Sequence, residues 1–272
     1  MKKTVAVVSL CVCAAFGGRA ANKPLAQVTW KTLPRYCASN VELVKAPVRG
    51  IIVEHHYLGW QSFKADDVRS FGEYARQGIV YISPHYSPWA WMNNYAVRLT
   101  DALIDVVKEH FEMDELNGDP VIVSTGGSMG GQGCLVWPRY SRHKVAAVVA
   151  NCPVTDLVYH YTERPDLPRT IDCAFADEPD LQKAIAAHSP FHLVKTMPDI
   201  SYFIVHSSAD ALVNKQKHSD RFVEAMRAAG RKVEYVTSEG TAHYQLTPEA
   251  RRLFDAALLA PFDSTVQTEG QK

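Results

Sequence analysis

The sequence has no repeated or Gly/Ser-rich segment, no long run of one charge and few cysteines, six in 272 residues. The first two absences exclude a repeat array or a low-complexity chain. Balanced charge, with 29 basic and 29 acidic residues, argues against nucleic acid or an anionic membrane as the partner. No Cys or His spacing fits a structural zinc site. Beyond the first twenty residues, no apolar run approaches the roughly 20 residues that a membrane-spanning helix needs. What remains is the composition of a folded globular domain, 47% apolar and 21% charged.

The first twenty residues differ from the rest. Lys2 and Lys3 precede an apolar run from Thr4 to Phe16, followed by Gly17, Gly18, Arg19 and Ala20. A basic start, a short apolar run and a small residue at the cut make a secretory signal peptide. A retained anchor is the alternative. Cleavage after Ala20 removes Lys2, Lys3 and Arg19 and no acid, so the formal charge goes from zero to −3. The expected product is exported, periplasmic or extracellular, and free of the membrane. It is a single domain, 21–272. Cys11 and Cys13 leave with the signal; Cys37, Cys134, Cys152 and Cys173 remain. Cys134 and Cys152 are expected to be buried thiols, which leaves Cys37 with Cys173 as the only pairing to consider.

From about residue 50, short apolar runs alternate with helical patterns. Strands are expected at 50–53, 79–82, 121–123, 145–150, 202–205 and 232–236. Helices are expected at 64–77, 94–111, after Ser128, at 214–229 and from Thr247. In the second, Ala96, Leu99, Leu103, Val107 and Phe111 recur three or four residues apart, on one face. This alternation predicts a mostly parallel sheet covered by helices on both faces. Residues 28–48 can add two short antiparallel edge strands. The stretch 153–187 breaks the pattern and reads either as a cap insertion over the site or as a surface loop with short helices.

The central chemical signal is Gly126-Gly127-Ser128-Met129-Gly130, a G-x-S-x-G pattern between a strand and a helix. A nucleophile on so sharp a turn needs small neighbours two residues to either side, and glycine supplies them. A serine hydroxyl also needs a base, and the base an orienting carboxylate. The α/β-hydrolase order is Ser, acid, His. Asp210 follows a strand 82 residues after Ser128, and His243 follows the last strand 33 residues later. Asp156 is the rival acid. The oxyanion donors are expected to be the Met129 N–H and a group from the turn 54–60, which lacks the common His-Gly-Gly run. The doubled His55-His56 has no third metal ligand at a sensible spacing. His56 and Trp60, with Tyr86, Trp89 and Trp91 from the turn 83–91, can either line a substrate pocket or pack the loops.

From Gly50 onward the chain resembles the catalytic domain of the prolyl oligopeptidase family. The likeness rests on Gly126 to Gly131, Ser189-Pro190, His206 to Val213, Arg227 to Tyr235 and Gly240 to His243. It implies an α/β-hydrolase fold with Ser128, Asp210 and His243 as the catalytic triad. It also implies a tyrosine hydroxyl at the oxyanion; Tyr57-Leu58-Gly59 resembles that element, offset by one residue. The peptidases of the family carry an amino-terminal propeller, whereas this chain is read as a hydrolase domain alone. Single-domain relatives include carbohydrate esterases. The expectation is therefore a cofactor-independent serine hydrolase acting on a small ester, an acylated sugar or a short peptide. An inactive binding module of the same fold is the rival from another class.

Overall fold

The computed structural model describes residues 25–45, 47–59, 65–113 and 119–263, with backbone alone for 65–70. The signal segment and Trp60 lie outside the described residues. Seven strands form one sheet: β1 (Cys37–Ser39), β2 (Gly50–His55), β3 (Ile79–Pro84), β4 (Val121–Gly127), β5 (Ala147–Asn151), β6 (Ser201–Ser207) and β7 (Val233–Ser238). Their order is β1-β3-β2-β4-β5-β6-β7. Only β1 runs antiparallel, against β3; every other pairing is parallel.

Strand alternation decides which layer each side chain joins. On β2, Ile51 and Val53 pack with α2 (Asn94–His110) and α3 (Met129–Tyr140), while Ile52 turns to the other face. There it joins Phe71 of α1 (Ala65–Arg76) and Phe254, Leu258 and Phe262 of α9 (Pro248–Asp263). Further along the sheet, Tyr202 and Ile204 of β6 meet Phe222, Val223 and Met226 of α8 (Arg221–Ala228), while Phe203 and Val205 face α9. Both faces of the central strands are therefore apolar, as a parallel sheet between helices requires. Each such side chain contributes roughly 1.5–3 kcal/mol when fully buried.

Three expectations need correction. Residues 28–48 form one strand, not two, preceded by a 3-10 turn at Trp30–Arg35. Asn40 ends β1: its N–H still donates to Tyr81 O, but its side-chain amide donates to the carbonyls of Phe71 and Ile79 and its oxygen accepts from Tyr81 N–H. The helix expected from Asn214 opens instead as a π-turn, Gln216–Asp220, before α8 begins. Finally, Cys37 and Cys173 do not pair. Cys37 is a buried free thiol on edge strand β1, and Cys173 is an exposed free thiol on a helix of the 153–187 insertion.

That insertion is a cap of three short helices, α4 (Leu157–Glu163), α5 (Leu167–Ala174) and α6 (Leu181–Ala187), followed by the single turn α7 (Pro190–Leu193). It is tied to the body on two sides. Trp91 Nε1 donates to Thr170 Oγ1 at 3.1 Å, and Asn93 Nδ2 to Ala174 O at 2.8 Å. Gln132 Nε2 of α3 joins Trp91 O and His188 O, at 3.2 and 2.7 Å. Among the described residues, no helix is long and apolar enough to cross a membrane.

Candidate active site

The site forms where β4, β6 and β7 end. Ser128 sits between β4 and α3 with φ 58° and ψ −121°. A non-glycine residue there costs of order 1–3 kcal/mol, so its surroundings must over-determine the turn. They do: Ser128 N–H donates to Asn151 O at 3.0 Å, and Ser128 O accepts from Gln132 and Val154 N–H at 3.1 and 3.2 Å. The glycines are needed for close approach. A Cβ on Gly126 would collide with the backbone of Gly130, and one on Gly130 with the carbonyl of His55. Helix α3 can therefore start directly beneath the ends of β2 and β4 only with glycine at both positions.

The loops after β6 and β7 are laced together. Ala209 N–H donates to Thr241 O at 3.0 Å, and Gly240 N–H to Ser208 Oγ at 2.7 Å. This brings Asp210 to His243, whose Nδ1 lies 2.6 Å from Asp210 Oδ2. The other carboxylate oxygen, Oδ1, accepts from Leu212 and Val213 N–H, both at 2.9 Å. A second histidine, His206, stands behind the acid with Nε2 3.2 Å from Oδ2. Burial alone would raise the Asp210 pKa, but the hydrogen bonds from His206, His243 and Val213 hold it well below the usual carboxylate range. Burial would lower the His243 pKa; the bond to Asp210 and the neighbouring Cys152 thiol outweigh it and raise it to about 9.

Asp156 is occupied elsewhere. It caps α4, accepting from Tyr159 N–H at 3.0 Å, and faces Arg221 Nη1 at 3.4 Å. Asp210 thus carries the contact to His243. Met129 opens α3, so its N–H belongs to a first turn that has no partner within the helix.

Ser128 and His243 line one cavity of about 440 Å³, together with Tyr57, Leu58, Trp91, Leu212, Val213 and Tyr244 from the body and His160, Arg164 and Leu167 from the cap. Tyr57 is 40% exposed, and its ring meets Tyr244 edge-on at 6.3 Å. Among the described residues, Trp91 alone of the aromatic residues expected in a pocket lines this cavity. His56 is buried, its ring 4.4 Å from that of Tyr86, and Tyr86 directs its hydroxyl to His55 Nδ1 at 3.0 Å. Both pack the core beneath the loop. Trp89 lies outside the cavity, under the Arg169 guanidinium at 5.4 Å. The sequence reading missed Tyr244, which directly follows His243, and the cap residues His160 and Arg164. Only the broken alternation at 153–187 pointed towards the latter two.

Among the described residues, two groups bring ligand-type atoms within 4.8 Å of one another: Cys152, Asp210 and His243; and His160, Glu163 and His218. In the first, Asp210 Oδ2 and His243 Nδ1 already meet in a hydrogen bond. The second lies in the cap wall and is taken up below.

The fold recurs in solved structures. A puromycin-hydrolysing peptidase from Mycobacterium tuberculosis aligns at 19% identity and TM-score 0.60, over 80% of this chain and 35% of that one. The chain thus spans about a third of that peptidase. Esterase B from Lactobacillus rhamnosis aligns at 14% identity and TM-score 0.61, covering 84% and 81%. Esterase 2 from the planctomycete Thermogutta terrifontis aligns at 26% identity and TM-score 0.54, covering 82% of each chain. No curated protein matches the chain by sequence. The family model for the prolyl oligopeptidase family matches residues 75–268. That span holds Ser128, Asp210 and His243 and most of the sheet, and the chain belongs to the prolyl oligopeptidase family of serine hydrolases.

Proposed function

We propose that the chain is an exported esterase that cleaves small esters through Ser128, His243 and Asp210. One observation carries the reading: Ser128, on its strained turn, shares a cavity wall with a histidine hydrogen-bonded to a buried carboxylate. In this mechanism Ser128 Oγ attacks the ester carbonyl carbon while His243 Nε2 takes the hydroxyl proton. Asp210 holds Nδ1–H, which fixes the tautomer and stabilises the imidazolium. The Met129 N–H and the Tyr57 hydroxyl donate to the tetrahedral oxyanion. Collapse expels the alcohol, protonated by His243, and leaves an acyl-serine. Water then repeats the sequence and releases the acid.

Two features favour an ester over a peptide bond. Thermogutta terrifontis esterase 2 matches over most of both chains, whereas the peptidase match takes in only about a third of that enzyme. The cavity of about 440 Å³, walled on one side by the cap, is of a size to hold a small substrate. Small-peptide hydrolysis is the second reading, favoured by the family itself. The export assignment rests on Lys2, Lys3 and the apolar run after them.

A fluorophosphonate probe should label the protein, and Ser128→Ala should abolish both labelling and turnover, a loss of several orders of magnitude. Labelling that persists in the purified variant would remove Ser128 from the reaction. p-Nitrophenyl esters assayed beside aminoacyl and dipeptidyl amides separate the two readings: faster amide turnover at equal concentration would favour the peptidase.

A further inference from the structure

The cap contributes a second carboxylate held between histidines. Glu163 Oε2 lies 2.6 Å from His160 Nδ1 and 3.0 Å from His218 Nε2, and Oε1 accepts from Asn214 N–H at 3.1 Å. The proton positions follow from the partners. His218 Nδ1 faces two backbone N–H groups, those of Thr155 and Asp156, each at 3.2 Å. It must be the lone-pair nitrogen, so Nε2 carries hydrogen and donates to Glu163. Burial would raise the Glu163 pKa, but its two histidine partners lower it, and the group stays an anion. His160 must then donate from Nδ1. Burial, its largest influence, lowers the His160 pKa and keeps the ring neutral. Its Nε2 is left with a bare lone pair and no partner among the described residues, on a buried residue that lines the cavity of Ser128.

A metal ion does not suit this cluster. Binding it through His218 Nε2 would displace the only ring proton while Nδ1 still accepts two amides, which leaves an imidazolate. A carboxylate substrate is not invited either. Arg164, the one arginine or lysine among the described residues that line the cavity, is held in a two-pronged pair with Asp166, at 3.0 and 2.7 Å.

We infer that His160 is a specificity-determining acceptor, and that the cavity takes substrates bearing a hydrogen-bond donor, a hydroxyl or an amine, on an apolar or aromatic body. Leu167, Trp91 and Val213 surround that body, and the Tyr57–Tyr244 pair stands at the exposed rim. Glu163 and His218 are positioning residues: they fix which nitrogen of His160 faces the ligand. A site built to hydrogen-bond a donor discriminates strongly against an analogue that lacks one, because its own polar group is left unpaired. The inference rests on the cavity beside Ser128 being the substrate site.

The test measures binding of p-cresol, 4-methylbenzylamine and p-xylene to the mature protein by calorimetry, with fluorophosphonate labelling of Ser128 followed in parallel. Both donor ligands, or one of them, should bind at least tenfold more tightly than p-xylene and should slow labelling. Whichever donor binds better identifies hydroxyl or amine. His160→Phe should bring the ratio to about one, and Glu163→Gln, which keeps His160 but loosens its orientation, should shrink it. Equal binding of all three ligands to the wild-type protein would overturn the inference and needs no variant to fold. A donor preference that survives His160→Phe would also overturn it. A protein that shows the preference but is never labelled would instead undercut the catalytic reading.

Discussion

Two carboxylates in this molecule are each gripped by a pair of histidines, and the pairs are close copies. At Asp210 and at Glu163 alike, an outer histidine approaches through Nδ1 at 2.6 Å and an inner one through Nε2, at 3.2 and 3.0 Å respectively. Both inner rings are anchored at the same π-turn. His218 is part of it, and His206 Nδ1 lies 2.6 Å from its neighbour Ser219 Oγ. Yet the outer histidines are driven in opposite directions. The His243 side chain is 16% exposed and its pKa is raised; the His160 side chain is 3% exposed and its pKa is lowered. A carboxylate partner does not by itself make a histidine basic. Desolvation and the other charges nearby decide whether the pair is poised to take a proton or is locked as a neutral acceptor.

The strongest way to break the comparison is to disable the Asp210 pair. Asp210→Asn should cut turnover by about 10⁴-fold, because the wrong tautomer of His243 is then held towards Ser128. Asp156→Asn should cost far less, because an asparagine oxygen can still accept from Tyr159 N–H and cap α4. Steady-state rates of both variants decide the matter, and the reverse order would hand the acid role to Asp156. A lesser effect is expected from Tyr57→Phe, about 10²–10³-fold in kcat with little change in KM, if its hydroxyl holds the oxyanion. A silent substitution would leave only a backbone donor in that turn. The mildest effect is on the pH profile. A general base must be neutral, so kcat/KM should rise with pH through the His243 pKa. That pKa is raised, so the acidic limb should fall above the ordinary imidazole value of 6.5. A limb at or below 6.5 would mean that Asp210 does not act on His243 as the geometry indicates.

Most of the sheet was legible because buried parallel strands are short apolar runs between turn residues, and Ile51 to Val53 or Val121 to Val123 can hardly be read otherwise. The turn position of Ser128 and the meeting of Asp210 with His243 were legible for a different reason: both follow from which strand ends the fold brings to one edge of the sheet. The cavity wall was not. Tyr86 and Trp91 lie five residues apart in one loop, yet Tyr86 is drawn inward by His55, while Trp91 adopts φ 43° and reaches the site. Nothing in local pattern distinguishes them. Likewise, His160 and His218 are 58 positions apart, and only the cap helix and the π-turn bring both to Glu163. The pairing of Cys37 with Cys173 failed because spacing says nothing of depth: one thiol is buried at the sheet edge and the other faces solvent.

The cap is held to the body by side-chain hydrogen bonds at several points. Trp91, Asn93 and Gln132 tie α5 and the end of α6 to the body, and Glu163 and His218 tie α4 to the π-turn. In the proposed reaction a substrate meets an opening rimmed by Tyr57, Leu212 and Tyr244, three side chains that are already part-exposed. Association through such an opening should follow substrate concentration linearly, and the rejection of bulky esters should appear in how often they enter, not in how slowly the enzyme rearranges around them.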